Sequence, residues 1–239
     1  MRVVQGLWIG SDLSLMERTS IGSFLAHGHE FHLYTYGDVG NIPAGTKVMD
    51  AAAILPRSSI FSYQADRHKG SLAGFANLFR FKLLATQGGL WTDLDVVCLK
   101  PFDFDGHVFS SERMLDLGRV VPTITVVGAP DGPSVFFAEC FAEAAAMDPT
   151  RIKMRENSSL LVERLIPQHD LGQHVRKPEV FGPIGWWEWR RLVSVPEPRL
   201  PDAHAVHLWH EMWRIEGMDK NRMYPPDTLY GRFQEAYLP

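Results

Sequence analysis

The chain has 239 residues, 45% hydrophobic and 22% charged, which suits one large domain with a real core and excludes a disordered or fibrous chain. A formal charge of −4 with no basic tail argues against nucleic acid as a partner. Two cysteines, Cys98 and Cys140, make no disulfide framework, and no apolar run reaches the ~20 residues of a membrane-spanning helix, so a cytoplasmic protein is expected.

The opening "MRVVQGLWIG" is interrupted too early for a signal peptide and reads as a first strand from Arg2 to Gly10. In "SLMERTSIGSFLAHGH", Ser14 and Glu17 have capping-box spacing, and Leu13, Met16, Ile21 and Phe24 mark one helical face. "EFHLYTYG" alternates and stops at Gly37, a strand pattern, and "TKVMDAAAIL" is a weaker one. "SLAGFANLFRFKLLATQGG" is the clearest helix, with Ser71 as its expected cap, a stripe of Leu72, Phe75, Phe79 and Leu83, and Gly88-Gly89 ending it. "LWTDLDVVCL" follows as a strand and "KPF" breaks it. Further on, "TITVVGA" and "AHAVHLWH" read as strands, "SVFFAECFAEAAAM" and "SSLLVERLI" as helices.

Strands alternating with helices predict an α/β fold with a mostly parallel central sheet flanked by helices. The expected organisation is a single domain over 1–239. Residues 1–105 form its ligand-binding half, and 106–239, rich in proline and tryptophan, form a looser lobe. In such sheets ligands bind beyond the carboxyl ends of strands, where Asp93 and Asp95 would sit.

Two residues apart in a strand, Asp93 and Asp95 point to one face. Adjacent carboxylates repel unless a cation sits between them, and Mg²⁺ or Mn²⁺ completed by substrate phosphates is the usual solution. The plainer alternative is a pair fraying into solvent at a strand end. Asn77 and Arg80 share a face of the preceding helix. If helix and strand run antiparallel through Gly88-Gly89, Arg80 lies about 12 Å back along the helix. Asp93 lies about 13 Å back along the strand. Arg80 could then bind phosphate or sugar hydroxyls, or simply pair with Asp93.

The stretch "SLAGFANLFRFKLLATQGGLWTDLDVVCLKP" resembles the core of glycosyltransferases with a DXD sugar-binding region. These include α-1,4-glycosyltransferases, yeast-type α-mannosyltransferases and the glucosylating domains of clostridial toxins. Arg80, Gly88, Gly89, Trp91, Asp93 and Asp95 match that pattern, and Asn77 replaces its usual aspartate. "GLWIG" resembles the family's first-strand motif, which makes Trp8 a base-stacking residue; the competing reading is a core tryptophan. "FGPIG" (181–185) is similar to a Gly-Pro element, or is a plain turn. "HAVHLWHEMW" resembles the C-terminal H-L-W segment, with His210 where asparagine is common. Strand parity puts His207 and Trp209 on one face.

The resemblance implies a GT-A-type nucleotide-sugar-binding fold. The activity it implies is metal-dependent, retaining transfer of a hexosyl or N-acetylhexosaminyl group from a nucleotide-diphosphate sugar, a UDP-sugar first, as in bacterial surface polysaccharide synthesis. The acceptor would be a carbohydrate or lipid-linked glycan, with at most peripheral contact at the inner face of a membrane. The implied catalytic residues are Arg80, Asp93 and Asp95; the donor-binding ones Trp8, Asn77, Arg80, Asp93 and Trp209; and the ligands of Mn²⁺ or Mg²⁺ Asp93, Asp95, His207 and His210. Two alternatives stand beside it: a non-catalytic sugar-nucleotide-binding protein, favoured by Asn77, and a nucleotide-sugar phosphohydrolase.

Overall fold

The computed structural model describes residues 3–64, 66–115, 117–195 and 199–238. In chain order they form β1 (Val4–Trp8), α1 (Leu15–Ala26), β2 (Phe31–Thr35), β3 (Lys47–Asp50), α2 (Ala73–Thr86), β4 (Gly89–Thr92) and β5 (Val96–Cys98). There follow β6 (Val108–Met114), β7 (Arg119–Ala129), α3 (Val135–Ala145), α4 (Ser159–Leu165), α5 (Pro178–Phe181), β8 (Ala205–His207), α6 (His210–Ile215) and α7 (Leu229–Tyr237), with short 3-10 turns between. Arg2, the expected first residue of β1, lies outside the described residues. The chain is mixed α/β, with helices on its sheet strands, as its alternating pattern predicts.

It divides into two compact units assembled from separate stretches: Met1–Met49, Asp93–Asp103 and Lys177–Pro239 in the first, Asp50–Thr92 and Phe104–Arg176 in the second. In the first unit β1 pairs in parallel with β2, and β5 pairs antiparallel with β8. α1 begins as its sequence dictates. Ser14 accepts from Met16 N–H at 3.2 Å and Glu17 accepts from Ser14 N–H at 2.8 Å, closing the capping box. α1 then packs on β5, where Ser20 donates to Val96 O at 2.6 Å and Cys98 N–H donates to Ser23 Oγ at 2.8 Å. α7 lies close against α1 because position 22 carries no side chain; a Cβ there would meet Tyr237 O at 2.3 Å.

The tryptophan-rich C-terminal stretch supplies much of the first unit's core. Trp213 is fully buried and its ring lies 5.1–5.4 Å from those of Trp189, Tyr224 and Tyr230, within a core that also holds Val97, Val206 and Leu208. Interlocking aromatic rings bury large areas without a helical or strand period, so the sequence pattern gives no sign of them.

In the second unit β4, β7 and β6 pair antiparallel, β6 and β7 as a hairpin. α2 and α4 pack on β7, and α3 packs on α2. Ser134 caps α3, accepting from Phe137 N–H at 3.4 Å. Ser71 is not the cap of α2: that position is Leu72, and Ser71 Oγ accepts from Ala73 N–H at 3.3 Å. The helix ends as predicted, with Gly88 and Gly89 at φ 67° and 86°. β3 covers only the start of "TKVMDAAAIL"; Asp50 Oδ1 accepts from Ala52 N–H at 2.8 Å and turns the chain into a 3-10 helix.

Candidate functional site

The segment "GGLWTDLDVV" is not one strand. β4 stops at Thr92, residues 93–95 turn, and β5 starts at Val96. β4 belongs to the ladder with β7 and β5 to the pair with β8. Strand parity therefore does not set the direction of Asp93 and Asp95; the turn does. Asp93 is half-buried at the turn's start.

Asp95 is held from the far end of the chain. Leu208 N–H donates to its carbonyl at 2.7 Å, extending the β5–β8 pairing by one residue. Its carboxylate Oδ2 accepts from His210 N–H at 2.8 Å and lies 3.1 Å from His207 Nε2. Both bonds fall on Oδ2, and Oδ1 takes none among the described residues. Burial pushes the Asp95 carboxyl up, but the His207 charge and hydrogen bond, followed by His210, outweigh it and hold the group well below the usual carboxylate range. For His210, burial and then Lys220 press the imidazole below its usual value, against the pull of Asp95, Glu17 and Glu211.

Trp209 makes this arrangement possible. Its backbone is left-handed (φ 60°, ψ 49°), a costly conformation for a bulky residue. The turn ends β8 at His207 and brings the His210 N–H round to Asp95. The Trp209 ring lies 3.9 Å from that of His207, and its Nε1–H donates to Ile184 O at 2.8 Å. "FGPIG" is thus more than a plain turn: it supplies the carbonyl that anchors Trp209. Trp8, at the end of β1, is half-buried, and the Lys220 ammonium lies 5.3 Å from its ring centroid.

Asn77 and Arg80 belong to the second unit. The Arg80 side chain is buried, bonds to Ile124 O, and lies 4.9 Å from the Trp91 ring centroid. Asn77 donates Nδ2–H to Asn157 Oδ1 at 3.1 Å, and Asn157 donates to Gly74 O at 2.8 Å. Asn157 carries no spacing signal in "RENSS", yet it is 1% exposed and fixes the orientation of the Asn77 amide. A carboxylate at 77 could only accept, so it would turn the Asn157 amide round and take its hydrogen bond from Gly74.

Because both shifted groups in the Asp95 cluster are depressed, each favours folding above its unfolded pKa and withdraws that support as the pH falls. His210 therefore weakens the fold below about pH 6.5, and Asp95 below about pH 4. Metal-free protein is expected to melt at a lower temperature at pH 5 than at pH 7, and His210→Gln should flatten that slope. A melting temperature independent of pH across this range would contradict the burial of His210.

Among the described residues, no group of three His, Cys, Asp or Glu side chains converges on a point where an ion could sit. The Asp95–His207 pair offers oxygen and nitrogen donors to an ion whose remaining ligands come from a bound molecule.

No protein-family model matches the chain, and no curated protein does. Among solved structures, the PaToxG glycosyltransferase aligns over 70% of this chain and 70% of its own at 10% identity, with a TM-score of 0.49. The apo-form glycosyltransferase GlyE of Streptococcus pneumoniae TIGR4 aligns over 98% of this chain and 64% of its own at 11% identity, with a TM-score of 0.47. The functional reading below therefore rests on the chain's own residues.

Proposed function

We propose that the protein is a metal-dependent glycosyltransferase of GT-A type. It takes a hexosyl or N-acetylhexosaminyl group from a nucleotide-diphosphate sugar, a UDP-sugar first, and passes it with retention to a carbohydrate or lipid-linked glycan such as a bacterial surface polysaccharide precursor. The observation that carries this reading is the second aspartate of the D-x-D triplet, kept ionised at a turn by His207 and the His210 N–H, 112 and 115 residues downstream. A half-buried carboxylate with one open oxygen, beside an imidazole, suits a hard divalent ion that arrives with its phosphate ligands.

Asp95 and His207 would hold the Mn²⁺ or Mg²⁺, and phosphate oxygens of the donor, rather than the Asp93 carboxylate or the His210 ring, would complete its shell. When bound, the ion neutralises the diphosphate leaving group as a Lewis acid. Trp8 would stack the base, and Trp209 would close beside His207. No helix among the described residues is long and apolar enough to cross a membrane.

The test is a panel of nucleotide sugars incubated with the protein, with Mn²⁺ or with chelator. One donor is expected to release its nucleoside diphosphate slowly with Mn²⁺ alone and faster with acceptor. Release of sugar phosphate and nucleoside monophosphate at a rate no acceptor improves would make it a phosphohydrolase. Tight binding without turnover would make it a binding protein.

A further inference from the structure

We infer that Lys220, presented by the buried carboxylate of Glu17, is the protein's own cation for the diphosphate of a nucleotide seated at Trp8. This rests on the glycosyltransferase reading and extends it to residues outside the D-x-D and H-L-W segments.

Glu17 is 2% exposed, yet it carries a charge the helix cap does not need, since glutamine closes a capping box equally well. Its carboxylate accepts from Ser14 N–H at 2.8 Å and Ser14 Oγ at 2.5 Å; its other oxygen pairs with Lys220. Burying a carboxylate is costly unless its oxygens are paired, and here Ser14 takes one and the Lys220 ammonium the other. Lys220 itself remains 22% exposed, so its head reaches solvent and any ligand there.

Its position is built, not incidental. Leu15 N–H, in the first turn of α1, donates to Asn221 Oδ1 at 3.0 Å, and Tyr224 Oη donates to Asp219 O at 2.8 Å. These bonds grip the residues either side of Lys220 and fasten their loop to α1 and to the aromatic core. The ammonium then sits 5.3 Å from the Trp8 ring centroid, within electrostatic reach of a phosphate attached to a base at that ring.

Trp8 is not an ordinary core tryptophan. Its Nε1–H is buried with no partner among the described residues, and Gly10 leaves the ring edge uncrowded, since a Cβ there would lie 3.0 Å from Nε1. A flat base attached to phosphates suits an aromatic face with a cation beside it. An ammonium suits phosphate as a point charge with several donors, of which Glu17 occupies one.

The experiment is calorimetric titration of UDP, GDP, uridine and guanosine, with Mn²⁺, into wild type, Lys220→Met, Lys220→Arg and Glu17→Gln. Lys220→Met is expected to weaken the preferred nucleoside diphosphate about tenfold, the worth of one charge-assisted hydrogen bond, and to leave the nucleoside unchanged. Lys220→Arg should recover most of the affinity. Glu17→Gln should keep the wild-type melting temperature within a few degrees, because the cap survives, while weakening the diphosphate less than Lys220→Met and altering its salt dependence. Equal diphosphate affinity in Lys220→Met, or equal loss for nucleoside and diphosphate, overturns the assignment of Lys220. Unchanged binding in Glu17→Gln overturns the positioning role of Glu17. A wild type that binds neither diphosphate overturns the glycosyltransferase reading itself, a result distinct from the others.

Discussion

Asp95→Ala is expected to lower Mn²⁺-dependent sugar transfer by about 10³-fold or more, the scale on which Lewis-acid stabilisation of a leaving group acts. The main-chain bond from Leu208 to residue 95 survives the change, so β5 and β8 stay paired and the fold persists. What goes is the carboxylate that takes the His210 N–H and faces His207. Asp95→Asn is the stricter form of the test. Its amide keeps the shape and can still accept from His210, but it offers no negative charge to an ion. Both variants should be inactive but folded, melting below wild type because the stabilising Asp95–His207 pair is lost, and His207→Ala should fall between them and wild type in activity. An Asp95→Ala protein with undiminished transfer would sink the metal-site assignment.

The second large effect concerns the turn ahead of the acidic pair. Gly88→Ala places a Cβ 2.0 Å from Pro130 O and 2.9 Å from Gly132 O, both backbone atoms that cannot swing aside. The loop has no slack: Gly132 N–H donates to Gln87 O at 2.9 Å and Ser134 N–H to Ala85 O at 3.1 Å. Left-handed backbone adds about 1–2 kcal/mol for any residue with a Cβ. Together the clash and the strain should cost about 3–5 kcal/mol, among the larger single-residue losses. For a chain of this size that lowers the melting temperature by about 10 °C. Gly37→Ala, where a Cβ meets nothing within 4 Å, is the control and should melt like wild type. A Gly88→Ala protein as stable as that control would show that the α2–β4 turn can relax.

The parts of this fold legible in the sequence are those whose signal is local. Ser14 with Glu17 announces α1, Ser134 announces α3, and Gly88-Gly89 announces the end of α2, because each acts within a few residues through backbone it can reach. The break at residues 93–95 is a different matter. Leu90, Trp91, Leu94, Val96 and Val97 are all buried, so the apolar run continues while the chain leaves one ladder and joins another. Only the partner strands decide that, and β7 and β8 are distant in sequence. In the site, the Asp95–His207 pair could be anticipated from D-x-D and H-L-W. The backbone contribution of His210 could not, since it depends on the left-handed turn at Trp209, and no residue type announces that turn. Asn157 escaped for a related reason: its work is to hold another side chain in place.

The interleaving of the two units has a consequence for synthesis. The second unit is complete once the chain has been made as far as Arg176. The first cannot close until Lys177–Pro239 has left the ribosome, because β5 waits for β8 and Glu17 waits for Lys220. Until then β5 lacks its partner strand, α1 lacks the cover of α7, and the D-x-D turn has an aspartate without its histidine. The acidic site is therefore among the last features to form, and a nascent chain stalled before residue 205 carries the motif without the centre.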